Sequence, residues 1–326
     1  MINYIIKRLL YVIPITLGVA LITFFLFRVV GGNPAYMLAG KSATAEQIKE
    51  IEHELGYDKP LFIDVTSFKK LNFKKTFDSQ FIFHFKQIIT FDFGRSYRTK
   101  QKISEIIAQG IGPSLSLSIP AFFMGIFIAI SISLFCAFYY NTWIDKIMVL
   151  LSIMGMSIPF LAFIIAGQYF MAYKLGWFEI SGYEFGLSSI KYIILPALIW
   201  IISALGVDVR FFRNVILDEI RQEYIKTAYA KGLSRNKILF KHVLKNAMIP
   251  IITKVIIAIP FLYTGSLLLE NFFGIPGLGN VGINAIANSD WPIINALTFM
   301  GSVLFIIGNL ISDICYALVD PRVRLK

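Results

Sequence analysis

The chain has 326 residues, 56% of them hydrophobic and only 16% charged, with a formal net charge of +11 at pH 7. A soluble domain carries about 25% charged residues, so there is too little charge here to coat the cores that this length would build. The basic residues are not gathered on one soluble face, so no nucleic acid is expected as a partner.

A hydrocarbon core about 30 Å thick takes about 20 apolar residues as a helix. Six stretches meet that length: 9–30, 114–138, 147–171, 192–211, 247–269 and 293–318. The expected fold class is therefore all-α, a polytopic membrane protein with six transmembrane helices. Pro14, Pro120, Pro159, Pro196 and Pro260 fall inside these stretches, as lipid-embedded helices tolerate where neighbours re-satisfy the freed carbonyls. Lys7 and Arg8 precede the first apolar run, whose length of about 22 residues exceeds the 7–15 of a signal-peptide core. It reads as an uncleaved first helix.

Orientation follows from Lys and Arg in the short loops. The segment from Arg210 to Asn246 holds nine basic residues against Asp218, Glu219 and Glu223, whereas Glu270 to Pro292 holds none. The amino terminus carries Lys7 and Arg8, and the carboxyl tail Arg322, Arg324 and Lys326. Both termini are expected in the cytoplasm. The expected organisation is a cytoplasmic amino terminus with the first span (1–30) and an extracytoplasmic segment (31–113). A five-helix core (114–318) containing a cytoplasmic loop (212–246) and a cytoplasmic tail (319–326) complete it. The 31–113 segment has twelve basic and nine acidic residues, and long loops translocate largely regardless of charge.

Within 31–113, T-A-E-Q-I-K-E-I-E-H-E-L (44–55) predicts a helix capped by Thr44 with an acidic first turn. A short helical piece is expected at 104–108. Phe68 to Phe85 alternates Phe with Lys and carries no assignment. The segment reads as a small folded cap or as a docking surface.

In the 212–246 loop, Ile216, Ile220, Tyr224 and Ala228 recur every four residues, as on one face of a helix. Gly232 stands where that helix would end, and Ser234 where a second would be capped. On the second, about 235–246, Leu239 pairs with Val243 and Phe240 with Leu244, while Lys237, Lys241 and Lys245 form a stripe. The two short helices make a knob that either lies on acidic lipid headgroups or fills a groove of a cytoplasmic protein.

Few charges fall in or near the spans: Arg28, Asp208, Lys254 and Asp313. Arg28 and Asp313 lie close to span ends, where snorkelling lowers their cost. Asp208 is expected to pair locally with Arg210 and Arg213, and Lys254 to find a carboxylate. No set of buried acids forms an ion relay. His53, His84 and His242 are scattered, and Cys136 and Cys315 lie in apolar runs, so no metal site and no disulfide are expected. No H-E-x-x-H and no P-loop occurs. The chain is not expected to be an enzyme, and any ATP that drives it must bind elsewhere.

The knob sequence E-Y-I-K-T-A-Y-A-K-G-L-S (223–234), followed by K-H-V-L-K-N-A-M-I-P (241–250), resembles the cytoplasmic coupling loop of ABC importer permeases of the dipeptide/oligopeptide/nickel family. Matching pieces run nearly the length of the chain: G-G-N-P-A (31–35), E-L-G-Y-D-K-P-L (54–61), D-F-G-R-S-Y (92–97), S-I-P-F (157–160), L-G-W-F (175–178), P-G-L-G (276–279) and S-D-I-C-Y-A-L-V-D-P-R (312–322). The order is that of the subunit type with a long first extracytoplasmic loop. Two departures stand out. Lys226-Thr227-Ala228 occupies the place where the general motif has Glu-Ala-Ala, and 68–85 looks like an insertion before D-F-G.

The resemblance implies a type I ABC importer permease fold in a bacterial inner membrane. It implies a second homologous permease, two cytoplasmic ATPases that hold ATP-Mg, an extracytoplasmic solute-binding protein and membrane lipid as partners. No cofactor is expected on this chain. Glu223, Thr227, Ala228, Lys231, Gly232, Leu233 and Ser234 would form the ATPase-coupling site, and the substrate path stays unassigned. Di- or oligopeptides are the expected cargo, with nickel or another small solute as the alternative. A secondary carrier and a membrane scaffold remain as readings from other classes.

Overall fold

Apolar runs that cannot leave backbone groups unpaired in lipid must form helices or closed barrels, and this chain forms helices. The computed structural model describes residues 2–40, 43–62 and 78–319. Among them the only β pairing is an isolated bridge between Arg95 and Lys102. The chain divides into two compact units, Met1–Gln109 with Val281–Ile307, and Gly110–Asn280 with Gly308–Lys326.

In the first unit, α1 (Ile2–Phe24) runs on as a π-helical turn (Phe25–Val30), followed by α2 (Ala35–Ala39), α3 (Ala45–Glu54) and α4 (Gln80–Ile89). The Thr44 cap forms as expected. Thr44 Oγ1 accepts from the Gln47 amide at 3.3 Å, and Gln47 Oε1 accepts from the Thr44 amide at 3.0 Å, a reciprocal capping box. Ser79 starts α4 by accepting from the Ile82 amide. Of the unassigned Phe/Lys stretch, 68–77 lies outside the described residues, and the remainder leads into α4. Phe24 is fully buried, with the rings of Phe62 and Phe81 each 5.3 Å away. This aromatic cluster fastens α4 to α1.

The helix α5 (Ile103–Phe138) has 36 residues. It starts eleven residues before the expected span at 114 and absorbs the short piece expected at 104–108. Pro113 and Pro120 are carried inside it.

In the second unit the 147–171 stretch is not one straight span. The helices α6 (Trp143–Ser157) and α7 (Phe160–Gly167), the latter continued by a π turn (Gln168–Lys174), meet at 94°. The cause is Pro159, which forces the preceding residue out of the helical region; Ile158 has ψ 125°. Beyond it lie α8 (Ile190–Ile220), α9 (Glu223–Ala230), and α10 (Arg235–Lys237), which continues through a π segment (Ile238–Val243) into α11 (Leu244–Leu262). The fifth helix therefore begins in the predicted knob and stops at Leu262 instead of 269. Three more helices follow among the described residues: α12 (Leu267–Phe273), α13 (Leu278–Ala287) and α14 (Trp291–Val319). Among the described residues five helices are long and apolar enough to cross a membrane, six if the bent pair counts as one span. The side chain of Asp313 and the basic tail 320–326 lie outside the described residues.

The helices α8 and α6 pack closely because Gly206 has no side chain. A Cβ there would sit 2.6 Å from the Ser152 carbonyl oxygen and 2.9 Å from Met156 Cγ.

Two ion pairs tie the helices of this unit together, and they correct the expected local pairing of Asp208. Asp208 Oδ1 accepts from Lys254 Nζ of α11 at 2.5 Å, with that ammonium 4.5 Å from the centre of the Phe211 ring. Arg213 instead forms a bidentate pair with the buried Asp145 of α6, both contacts 2.7 Å. On a helix, positions two and five apart do not face each other, so Asp208 cannot reach Arg210 or Arg213 and turns to a neighbouring helix. The expectation that Lys254 finds a carboxylate is met.

Candidate functional site: the hinged knob at 221–246

The knob begins where α8 ends. The amide of Arg221 closes the last turn on the Leu217 carbonyl, and Gln222 is extended with ψ 147°, so the predicted continuous helix over 216–230 is broken before Glu223. The break rotates the apolar face. Ile225 is fully buried and Ala228 nearly so, whereas Tyr224, expected inward, is 39% exposed. Ile225 and Ala228 join one apolar core with Ile216 and Leu217 of α8 and with Ile238, Leu239 and Val243 of the π segment.

The end of α9 is set by Gly232, whose φ is +74°. The Gly232 amide donates to the Tyr229 carbonyl at 2.9 Å and the Leu233 amide to the Ala228 carbonyl at 3.3 Å. These two bonds are the Schellman closure, which needs a left-handed residue after the cap. A Cβ at Gly232 would meet nothing within 4 Å. The glycine is thus required by backbone conformation, at about 1–2 kcal/mol for an L-residue, and not by crowding. Leu233 turns back onto the apolar core, the hydrophobic contact that accompanies this closure. Ser234 starts the next helix through its carbonyl, which accepts from the Ile238 amide at 3.0 Å. Its side chain makes no capping bond, contrary to the expected hydroxyl cap.

Polar contacts brace the knob further. Asn246 Nδ2 of α11 donates to the Tyr224 hydroxyl at 2.7 Å, and that hydroxyl in turn donates to Glu219 of α8. Burial and the Glu219 carboxylate push the Tyr224 hydroxyl up to about 12, so it stays a donor. The Arg235 guanidinium lies 4.6 Å from the centre of the Phe138 ring at the end of α5. Three long helices therefore hold a loop of a dozen residues.

Of the seven sequence-predicted site residues, Glu223, Thr227, Lys231, Gly232 and Ser234 are exposed, Leu233 is half-buried and Ala228 is buried. The five exposed residues stand in solvent along 223–234, while Ala228 and Leu233 turn inward onto the apolar core. Lys226 pairs with Glu223 at 2.7 Å in solvent, a contact of small value. Lys237, Lys241 and Lys245 are exposed as predicted, and so is Phe240, at 60%.

A second buried charge went unpredicted. Glu270 of α12 is fully buried. It accepts from the Ser114 hydroxyl at 2.8 Å and the Asn280 amide at 3.1 Å. Ser114 also accepts from the Leu278 amide at 2.7 Å. Side chains at Gly277 or Gly279 would collide with the carboxylate. Glu270 thus fastens the P-G-L-G turn (276–279) onto α5 and α12. The only sequence signal was an acid directly after Leu267-Leu268-Leu269, read as the start of a polar loop. Among the described residues no group of three or more His, Cys, Asp or Glu side chains is placed to hold a metal ion.

Apolar helices long enough to span a membrane, joined by an outward-polar knob, define a multi-pass membrane protein. Residues 125–325 match the model of the binding-protein-dependent transport system inner membrane component, and residues 1–118 match its amino-terminal companion. The chain belongs to this family of ABC transport permeases. It is 32% identical, over the full length of both chains, to the glutathione transport system permease protein GsiC of Salmonella choleraesuis (strain SC-B67). It is also 32% identical, over 98% of each chain, to a putative peptide transport system permease protein of Brucella abortus (strain 2308). The GsiC protein of Escherichia coli O1:K1 / APEC is 31% identical over the full length of both.

Proposed function

We propose that this chain is one of two permease subunits of an ATP-driven importer of short peptides, and that its knob, seated in a groove of one of two partner ATPases, is the element through which that ATPase moves the spans. The observation that carries the reading is the division of the knob into two faces. Glu223, Thr227, Lys231, Gly232 and Ser234 are presented outward, while Ile225, Ala228 and Leu233 join the core of the spans. A surface touched by a partner and fixed to three helices passes a displacement to them as a rigid body. ATP-Mg then belongs to the partner subunits, and both termini and the knob face the cytoplasm, in line with the excess of Lys and Arg at 210–246. A solute-binding protein delivers cargo on the other side. Short peptides are the favoured cargo because relatives aligned over nearly the whole chain carry glutathione and peptide transport names, and glutathione is itself a tripeptide.

The test is uptake of a labelled dipeptide by cells or proteoliposomes carrying the assembled importer, with the ion gradient collapsed. Uptake that persists with ATP and stops in Gly232→Asp, while the variant still inserts in the membrane, supports the reading. Uptake by Gly232→Asp at the wild-type rate removes the knob from the coupling path. Gly232→Asn keeps the left-handed preference without the charge, so it separates backbone strain from the carboxylate.

A further inference from the structure

The first unit contains a cavity of about 440 Å³, within the range of small-molecule sites. Its walls come from the end of α1, from α3 and α4, from the 93–100 loop and from the start of α14. Among the described residues three cations line it, Arg28, Arg95 and Lys100, against a single carboxylate, Glu54, which is exposed. Arg28 is half-buried. Its guanidinium lies 4.2 Å from the centre of the Tyr57 ring, and Nη1 donates to the Leu55 carbonyl at 3.0 Å. That is one bond for a group with five N–H donors, and no described carboxylate pairs with it.

Among the described residues, the other ionisable groups around Arg28 form no ion pair with it. Asp290 is nearly buried, but its carboxylate accepts from the Ser96 hydroxyl at 2.5 Å and from the amides of Tyr97 and Arg98 at 3.1 and 3.4 Å. It is spent on shaping the 96–98 loop. His84 is buried, and burial, then the nearby Arg28 charge, lowers its pKa to about 4, so it is neutral at physiological pH. Asn295, on the same wall, has a buried side-chain oxygen with no hydrogen-bond partner. Its amide, turned over, would offer an N–H to an acceptor in the cavity.

We propose that this cavity binds an organic anion, with a carboxylate or phosphate on Arg28 and the apolar remainder against the aromatic wall. A shielded guanidinium without a carboxylate is costly to keep empty-handed. Its free edge suits bidentate capture of a planar carboxylate or a phosphate. The anion has two possible sources, the carboxyl terminus of a free peptide and the headgroup of an acidic phospholipid. This site is independent of the knob, and its test reads binding, not transport.

The experiment uses the intact purified complex in nanodiscs. Native mass spectrometry counts phosphatidylglycerol retained against phosphatidylcholine, and titration compares a Phe-containing dipeptide with its C-terminal amide. Either preference for the anion, reduced about tenfold or more in Arg28→Gln and only partly restored in Arg28→Lys, which keeps the charge but not the bidentate edge, supports the site. Which anion is preferred identifies the source. Should Arg28→Gln fail to assemble, the exposed Lys100→Gln and Arg95→Gln together carry the same test. Equal retention of both lipids together with equal binding of acid and amide, or anion binding unchanged in the variants, overturns the proposal.

Discussion

The knob and the Arg28 cavity both gather basic residues, yet they point them in opposite directions. At 223–246 the lysines stand in solvent, while Ile225, Ile238 and Val243 face inward and are almost fully buried. Around Arg28 the cation is drawn inward over Tyr57 and the carboxylates nearby are exposed or engaged elsewhere. A surface with a dry foundation and a wet face is what the proposed contact with a partner ATPase requires. A recess with an inward, unpaired cation is built to receive a small anion. Net charge alone does not separate the two.

The largest effect is expected where the foundation of the knob is attacked. Ile225→Asp places a carboxylate at a fully buried position within an apolar core, and should cost more than about 3 kcal/mol. The knob would come loose, and both thermal stability in detergent and uptake should fall. Ile225→Val, by contrast, should cost about 1 kcal/mol and leave uptake intact. A stable, active Ile225→Asp protein would mean the knob is not packed as described.

The cavity side should show itself in acid. His84 has a folded-state pKa near 4 against an ordinary 6.5, so the unfolded chain binds more protons between those values. Stability then rises with pH: the His84 contribution is full above about 6.5 and lost as pH falls toward 4. The expected loss is on the order of 3 kcal/mol. Thermal melts from pH 7 to 4 should show a flatter acid limb in His84→Gln; identical limbs would place His84 in water.

Smaller effects sharpen the knob. Tyr224→Phe removes the hydroxyl between Glu219 and Asn246 and should cost about 1 kcal/mol, read as a lower melting temperature. Lys241→Gln, on the exposed stripe, should change stability by less than about 0.5 kcal/mol. A larger change would mean that the lysine meets a partner group within the chain.

The positions of the spans were legible because hydropathy reports how long an apolar run is. It does not report direction, so the 94° bend at Pro159 and the end of α11 at Leu262 were missed. The knob was legible through four-residue spacing and Gly232. Its inward face was misassigned to Tyr224 because the turn at Arg221 and Gln222 resets the helical phase, and nothing in the spacing marks that turn. Lys254 was expected to find a carboxylate, but its partner Asp208 lies 46 residues earlier in the chain. The Arg28 cavity and the Glu270 cage were illegible for the same reason. Their walls join residues such as Arg28 and Asn295, or Ser114 and Glu270, that meet only through tertiary packing.

The most direct measurement of the central claim is copurification of the tagged chain in mild detergent, with identification of its companions. Recovery of a P-loop ATPase and a second six-span permease, with the ATPase lost in Gly232→Asp, is the predicted result. Recovery of the chain alone, able to carry peptide across liposomes without ATP, would contradict it.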